Sequence, residues 1–106
     1  MDTMLIKPNS KFEKGSIIVS DGRVAIFESL GHHPDGGSFN DDSYFFVQAW
    51  SWLDDPDDYV TYDGYVMNIN SRQAKKVERD SLLEKMAKEG YYLDKIHKIV
   101  KHVQVL

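Results

Sequence analysis

The sequence has 106 residues, of which 42% are hydrophobic and 28% charged, and a formal net charge of −4. This length predicts a single domain over residues 1–106 and excludes large catalytic architectures such as a (β/α)₈ barrel or a complete dinucleotide-binding fold. The chain has no cysteine, which excludes a disulfide framework, a thiolate zinc site and a cysteine nucleophile. No apolar run is long enough for a signal peptide or a membrane span, so we expect a cytoplasmic protein that does not bind membranes.

The first predicted elements form a β-hairpin. A β-branched run at residues 16–20 is followed by Asp21-Gly22 and by a second apolar run at residues 23–30. Asp-Gly between two apolar runs is a strong signal for a two-residue β-turn. We therefore expect two antiparallel strands at these positions.

A loop and a long strand are expected next. Residues 31–42 contain three Gly, one Pro and three Asp, which suit turns rather than a strand. Residues 43–52 are apolar at both odd and even positions. Such a strand is either central in its sheet or covered on its second face by other elements.

The second half of the β region is predicted from two further turns. An Asp-rich turn at residues 53–58 precedes a short strand at 59–62. A second Asp-Gly pair, Asp63-Gly64, predicts a hairpin turn into a strand at 65–69.

A helix is predicted to follow, with Asn70 or Ser71 as its N-cap and an end near Glu89. Gly90 then occupies the C′ position, where a left-handed conformation is common. The expected apolar face consists of Leu82, Leu83, Met86 and Ala87. Alternation at residues 91–93 and 98–105 predicts one or two closing strands around Asp94-Lys95.

These elements predict an α+β fold that is mostly β. Strands joined by hairpins favour a small bent antiparallel sheet or an SH3-like barrel, with one C-terminal helix and a closing strand. The β-barrel region is expected over residues 11–69, and the helix with its closing strand over residues 71–106.

Two segments also resemble known proteins. Residues 12–19 followed by Asp21-Gly22 look like the opening of Src-homology-3-like barrels. Residues 72–91 are similar to a helix-Gly-Tyr ending of small uncharacterised proteins from gut Bacteroidetes and their phages and mobile elements, and residues 92–95 match that pattern in part. The resemblance implies a barrel-like β region, a helix and a short strand, and it implies no biochemical role.

Charge is distributed unevenly along the chain. Residues 24–71 contain nine acidic residues and no Lys or Arg, whereas residues 72–106 contain nine basic and five acidic residues. The acidic middle disfavours duplex nucleic acid as its partner, because phosphate binding requires clustered Lys and Arg. Asp clusters are typical of solvated turns, and the alternative interpretation is a surface that attracts a cationic partner.

Histidines and carboxylates do not predict a metal or catalytic site. His32 and His33 are adjacent, so on an extended chain their side chains point apart, and His97 and His102 have a spacing that suits neither strand nor helix. No Gly-x-Ser-x-Gly elbow and no phosphate-binding loop occur. We therefore expect no metal, no cofactor and no enzymatic activity; a small hydrolase has no motif in its favour.

Aromatic residues give the most specific functional prediction. Nine of the thirteen aromatic residues lie between positions 39 and 65, more than a small domain is expected to bury. Aromatic rings beside carboxylates suit a cationic, extended peptide. The predicted partner-binding residues are Trp50, Trp52, Asp54, Asp55, Asp57, Asp58, Tyr59 and Tyr62.

These observations lead to two functional hypotheses. The first is a non-catalytic interaction module that binds a protein partner or cationic peptide through this acidic-aromatic surface. The alternative is a phage or mobile-element antagonist whose acidic surface mimics a phosphate backbone. Weak nucleic-acid binding by Lys75, Lys76, Arg79 and Lys101 is also considered, and the oligomeric state is left open.

Overall fold

The computed structural model describes residues 12–30 and 44–103, and it contains seven strands and one helix within these ranges. The strands confirm a mostly β, α+β fold. The elements are β1 (Ile17–Ser20), β2 (Arg23–Leu30), β3 (Tyr44–Trp52), β4 (Thr61–Met67), β5 (Arg72–Gln73), α1 (Lys76–Lys88), β6 (Tyr91–Asp94) and β7 (Ile99–His102). The loop predicted over residues 31–42, with His32 and His33, lies outside the described residues.

The first hairpin is confirmed. β1 and β2 pair antiparallel with Ser20 opposite Arg23, so Asp21 and Gly22 are the two turn residues. Their φ angles are 52° and 74°. A two-residue turn of this kind needs φ > 0 at both positions, which Asp and Gly tolerate better than most residues.

Five strands form one antiparallel sheet in the order β4-β3-β2-β1-β5. The two edge strands, β4 and β5, do not pair with each other among the described residues. The structure is therefore an open bent sheet and not the closed SH3-like barrel, which was one of the two predicted forms. β6 and β7 form a separate two-stranded sheet.

An irregularity in the middle of β3 bends the sheet. Ile26 pairs with Ala49 and Phe27 with Val47, so Gln48 is an extra residue relative to β2. Such a bulge locally interrupts the alternation of side chains. As a result Val47 belongs to one core cluster and Ala49 to the other.

The predicted hairpin turn at Asp63-Gly64 is wrong. β4 continues through both residues, and its pairing with β3 keeps one register from Ala49–Tyr62 to Val47–Gly64. Asp63 has a φ of 69°, but Gly64 does not have a positive φ. A tight hairpin needs both, so the local signal is overridden by pairing with β3.

The helix begins later than predicted, at Lys76, because residues 72–73 form a strand instead. β5 pairs with β1, with Arg72 opposite Val19. The Glu78 carboxylate accepts two hydrogen bonds of 2.8 Å from the Arg72 guanidinium and a third, also 2.8 Å, from the backbone N–H of Lys75. The predicted C-terminus is confirmed, since the helix ends at Lys88 and Gly90 has a φ of 86°.

Each face of the sheet has its own apolar cluster. Leu82 and Met86 of the helix, four residues apart and fully buried, pack on one face, whereas Leu83 is partly buried and Ala87 is exposed. The buried residues of the helix-side cluster are Ile17, Val19, Val24, Ile26, Ala49, Val60, Leu82 and Met86. Those of the opposite cluster are Phe12, Ile18, Ala25, Phe27, Phe45, Val47 and Val66.

The C-terminal hairpin packs on the helix side through Tyr91, Leu93 and Val100. The Gln48 side chain holds it in place: its amide N–H donates to the Lys98 carbonyl at 2.8 Å, and its oxygen accepts from the Val100 N–H at 2.7 Å. The five-stranded sheet and the β6–β7 sheet share no strand pairing. The side chain of the bulge residue Gln48 connects them instead.

The helix has 13 residues, and no helix in the described part of the chain is both long and apolar enough to cross a membrane.

Replacing Leu82 by Ala is expected to lower the free energy of unfolding by about 2–5 kcal/mol, because Leu82 is fully buried between helix and sheet. Urea unfolding followed by circular dichroism measures this loss. Val77→Ala in the same helix is the control, because Val77 is 75% exposed, and it is expected to change stability by less than about 0.5 kcal/mol. Equal losses in both variants would contradict the observed packing.

Stability is expected to fall at acidic pH partly through Glu78. The Arg72 hydrogen bonds, followed by the Lys75 N–H, lower the pKa of Glu78 to about 2. Because the pKa is lower in the folded state, this contribution is present above the unfolded value of about 4.3 and is lost as pH falls toward 2.

Unfolding curves between pH 6 and about pH 2 test this, since the native protein should lose more stability than Glu78→Gln. The control is Glu84→Gln at an exposed helix position, which should follow the native curve. Parallel curves for the native protein and Glu78→Gln would refute the assignment.

Candidate partner-binding surface

Residues 53–60, here called the acidic loop, connect β3 to β4 and are held by the helix. Leu82 and Met86 face the sheet, and Lys85, three positions after Leu82, lies beside them on the same side of the helix. The Lys85 ammonium donates to the Asp55 carbonyl and to the Ser51 hydroxyl, each at 2.8 Å. The start of the loop is thereby tied to α1.

Asp58 closes the loop onto the end of β3. Its carboxylate accepts from the backbone N–H of Trp52 at 3.0 Å and from the Ser51 hydroxyl at 3.2 Å. Within the loop, the Asp55 carboxylate accepts from the Asp57 N–H at 3.0 Å. These bonds give the Asp-rich segment a defined conformation, as Asp side chains commonly do in turns.

The end of the loop is held by Glu89, which follows Met86 by three positions. Its carboxylate accepts from the Val60 N–H at 3.1 Å and from the Tyr62 hydroxyl at 2.8 Å. Tyr62 also stacks on Tyr91, with ring centroids 3.9 Å apart. Burial, and then the bond to Glu89, raise the pKa of the Tyr62 phenol above its usual range.

The two tryptophans surround an arginine from the neighbouring strand. The rings of Trp50 and Trp52 meet edge to face at 5.7 Å. The Arg23 guanidinium carbon lies 4.8 Å from the centroid of the Trp50 ring and 4.2 Å from that of Trp52. Arg23 also donates to the Asp21 carboxylate at 2.7 Å. The rings therefore already contact one cation within the chain.

The predicted residues fall into two groups. Trp52 is 44% and Tyr59 is 74% exposed. The exposed carboxylates beside them are those of Asp54, Asp55 and Asp57.

The remaining predicted residues are engaged internally. Asp58 is committed to the turn, and Trp50 packs against the cluster that contains Phe27. Tyr62 packs against the helix-side cluster, which lies on the other face of the sheet from the cluster that Trp50 contacts. The sequence predicted that Trp50 and Tyr62 belong to one binding surface, whereas the structure places them on opposite faces of the sheet.

Three residues that organise this surface were not predicted from the sequence. Arg23 lies opposite Trp52 in the β2–β3 pairing, which local patterns do not reveal. Lys85 and Glu89 could have been identified, because helical spacing places them beside Leu82 and Met86.

Ser51, Lys85 and Asp58 form a hydrogen-bonded chain that superficially resembles an activated nucleophile. Ser51 is fully buried, so no substrate can reach its hydroxyl in this structure. Within residues 12–30 and 44–103, no group of three or more His, Asp or Glu side chains is arranged to hold a metal ion. The exposed groups of the acidic loop and the adjoining end of β3 include two aromatic rings and three carboxylates.

No protein-family model, curated protein or solved structure matches this chain. The resemblance to small SH3-like proteins of gut Bacteroidetes therefore stays a prediction.

Lys85→Met is expected to loosen the acidic loop, because the Asp55 carbonyl and the Ser51 hydroxyl lose their shared donor. We expect a loss of about 1–3 kcal/mol in stability and faster hydrogen exchange of the Trp52 amide. Lys88→Met, at an exposed position of the same helix, is the control and should leave that amide unchanged. Identical exchange in both variants would mean that Lys85 does not hold the loop.

Proposed function

We propose that this chain is a non-catalytic, cytoplasmic interaction module that binds a protein partner through the acidic loop and the exposed ring of Trp52. The observation that carries the proposal is that two exposed aromatic residues, Trp52 and Tyr59, precede and follow the exposed Asp54, Asp55 and Asp57 along the chain. Aromatic faces and carboxylates together suit an Arg- or Lys-containing peptide.

The rigidity of the loop supports this proposal. Lys85 ties its start to the helix, Asp58 closes its turn, and Glu89 holds the N–H of Val60 at its end. A surface that is ordered before binding loses less conformational entropy when a partner arrives. The carboxylates of Asp54 and Asp57 are therefore presented from a fixed backbone.

Arg23 supports the choice of a cationic partner. Its guanidinium lies against both tryptophan rings and is paired with Asp21. The chain thus uses, within itself, the aromatic-carboxylate contact that we propose for the partner. Trp52 remains 44% exposed beside Arg23, so part of its surface is available to a second group.

The alternative, mimicry of a phosphate backbone, receives less support. A mimic requires several carboxylates free to face one partner. Asp58 is instead committed to Ser51 and Trp52, and Asp55 accepts from Asp57 within the loop. Binding of nucleic acid by the predicted basic residues is also less favoured, because Lys76 pairs with Asp80 and Lys101 with Asp94.

The proposal is tested by titrating the protein with a short synthetic peptide of alternating Arg and Gly, followed by tryptophan fluorescence and backbone amide NMR. We expect saturable binding with shifts concentrated in residues 52–59, and an affinity that falls as salt is added. Trp52→Ala is expected to weaken binding about fivefold, the effect of losing one exposed cation–π contact of about 1 kcal/mol.

Two controls separate a specific surface from general attraction to an acidic protein. The variant Asp54→Asn/Asp57→Asn should weaken binding more than Asp63→Asn/Glu84→Gln, which removes the same charge from exposed positions outside the loop. A Glu-Gly peptide should not bind. Equal weakening by both double variants, or no binding by the native protein, would refute the proposal.

A further inference from the structure

The two tryptophans of β3 and the carboxylate of the β1–β2 turn surround one guanidinium, that of Arg23. Its carbon lies 4.2 Å from the centroid of the Trp52 ring and 4.8 Å from that of Trp50. Its Nη1 donates to the Asp21 carboxylate at 2.7 Å. Trp50, Trp52 and Asp21 are here called the guanidinium site, because cation–π contact and a charge-assisted hydrogen bond hold the cation there.

The guanidinium site adjoins the acidic loop. The Leu53 N–H donates to the Gly22 carbonyl at 2.9 Å, which joins the first residue of the loop to the β1–β2 turn. The Asp21 N–H donates to the Ile69 carbonyl, also at 2.9 Å. The turn is therefore held by backbone contacts that do not involve the Arg23 side chain.

The Arg23 side chain leaves one of its own donors without a partner. Its Nε is buried and has no hydrogen-bond partner within residues 12–30 and 44–103. A buried N–H group of this kind has lost its hydrogen bonds to water and gained none in return, which disfavours this position of the side chain. The side chains of Arg23 and Asp21 are still 21% and 32% exposed, so both reach the protein surface. Movement of Arg23 into solvent would hydrate its Nε–H again.

We propose that the guanidinium site binds an arginine of the partner, which displaces Arg23. This inference rests on the proposed function, because the partner reaches the site from the adjoining acidic loop. The incoming arginine makes the same kinds of contact with the rings and the carboxylate, while the released Arg23 regains its hydration. A lysine is a poorer replacement, since its ammonium is not planar and is more strongly hydrated.

The Arg23 Nε–H signal in NMR spectra of the full chain reports the displacement directly. In the free protein this proton is expected to exchange slowly with water, because Nε is buried. Addition of a short peptide of alternating Arg and Gly is expected to make the exchange faster. Peptide binding with unchanged exchange would overturn the inference and leave the proposed function in place, because the peptide would then contact only the exposed part of Trp52.

Matched variants test whether Arg23 competes with the peptide. Arg23→Gln is expected to tighten binding about tenfold, the gain when a competitor that fills the site about 90% of the time is removed. Arg79→Gln removes the same charge from an exposed helix position and is expected to tighten binding less than about twofold. Equal affinities of these two variants would overturn the inference.

Arg23→Lys covers the case in which Arg23→Gln does not fold. It keeps the positive charge and most of the alkyl chain, so a gain in affinity cannot come from net charge. We expect it to bind the Arg-Gly peptide more tightly than the native protein does, because an ammonium competes less well for the site. Unchanged or weaker binding by this variant would overturn the inference.

A peptide of alternating Lys and Gly separates the guanidinium site from general attraction between opposite charges. We expect Arg23→Gln to bind this peptide more weakly than the Arg-Gly peptide, although both carry the same charge. Equal affinity for the two peptides would overturn the inference. Absence of binding of either peptide to the native protein and to both Arg23 variants would instead refute the proposed function itself.

Discussion

Leu82 and Met86 pack against the sheet, and this contact positions both the helix and the acidic loop that the helix holds. These two side chains set the rotation of the helix about its axis, because residues four apart share one face. Lys85 and Glu89, three positions after Leu82 and Met86 respectively, then lie on the same side of the helix. Each reaches one end of the acidic loop, so the orientation of the helix determines the conformation of a segment about thirty positions earlier in the chain.

The acidic segment of the sequence is not free of basic residues in the folded chain. Residues 24–71 contain no Lys or Arg, yet the folded chain brings Arg23 to the two tryptophans and Lys85 to the loop. Arg23 covers part of the two rings while pairing with Asp21, and Lys85 occupies the Asp55 carbonyl and the Ser51 hydroxyl. What remains exposed is a smaller set of rings and carboxylates than the sequence suggests. The proposed partner-binding surface therefore consists of the rings and carboxylates that contacts within the chain leave exposed.

The turn before β1 and the turn between β6 and β7 lie in close contact at Gly15 and Lys98. Gln48 connects the larger sheet to the C-terminal hairpin through two hydrogen bonds. Gln48 is the residue of β3 that the bulge leaves out of the regular strand pairing. Its side chain is therefore free to bond the C-terminal hairpin to the five-stranded sheet.

Features that depend on neighbouring residues were predictable from sequence alone: the Asp21-Gly22 turn, the end of the helix before Gly90, and the mostly β composition. It misplaced the helix start and predicted a turn at Asp63-Gly64, because pairing with β1 and β3 outweighed the local preferences. Three further features are seen only in the three-dimensional structure: the sheet stays open, Tyr62 packs toward the helix, and Arg23 lies against the tryptophans. Those features depend on strand register and helix packing. Both bring together residues that are distant in sequence, so a local sequence pattern does not predict them.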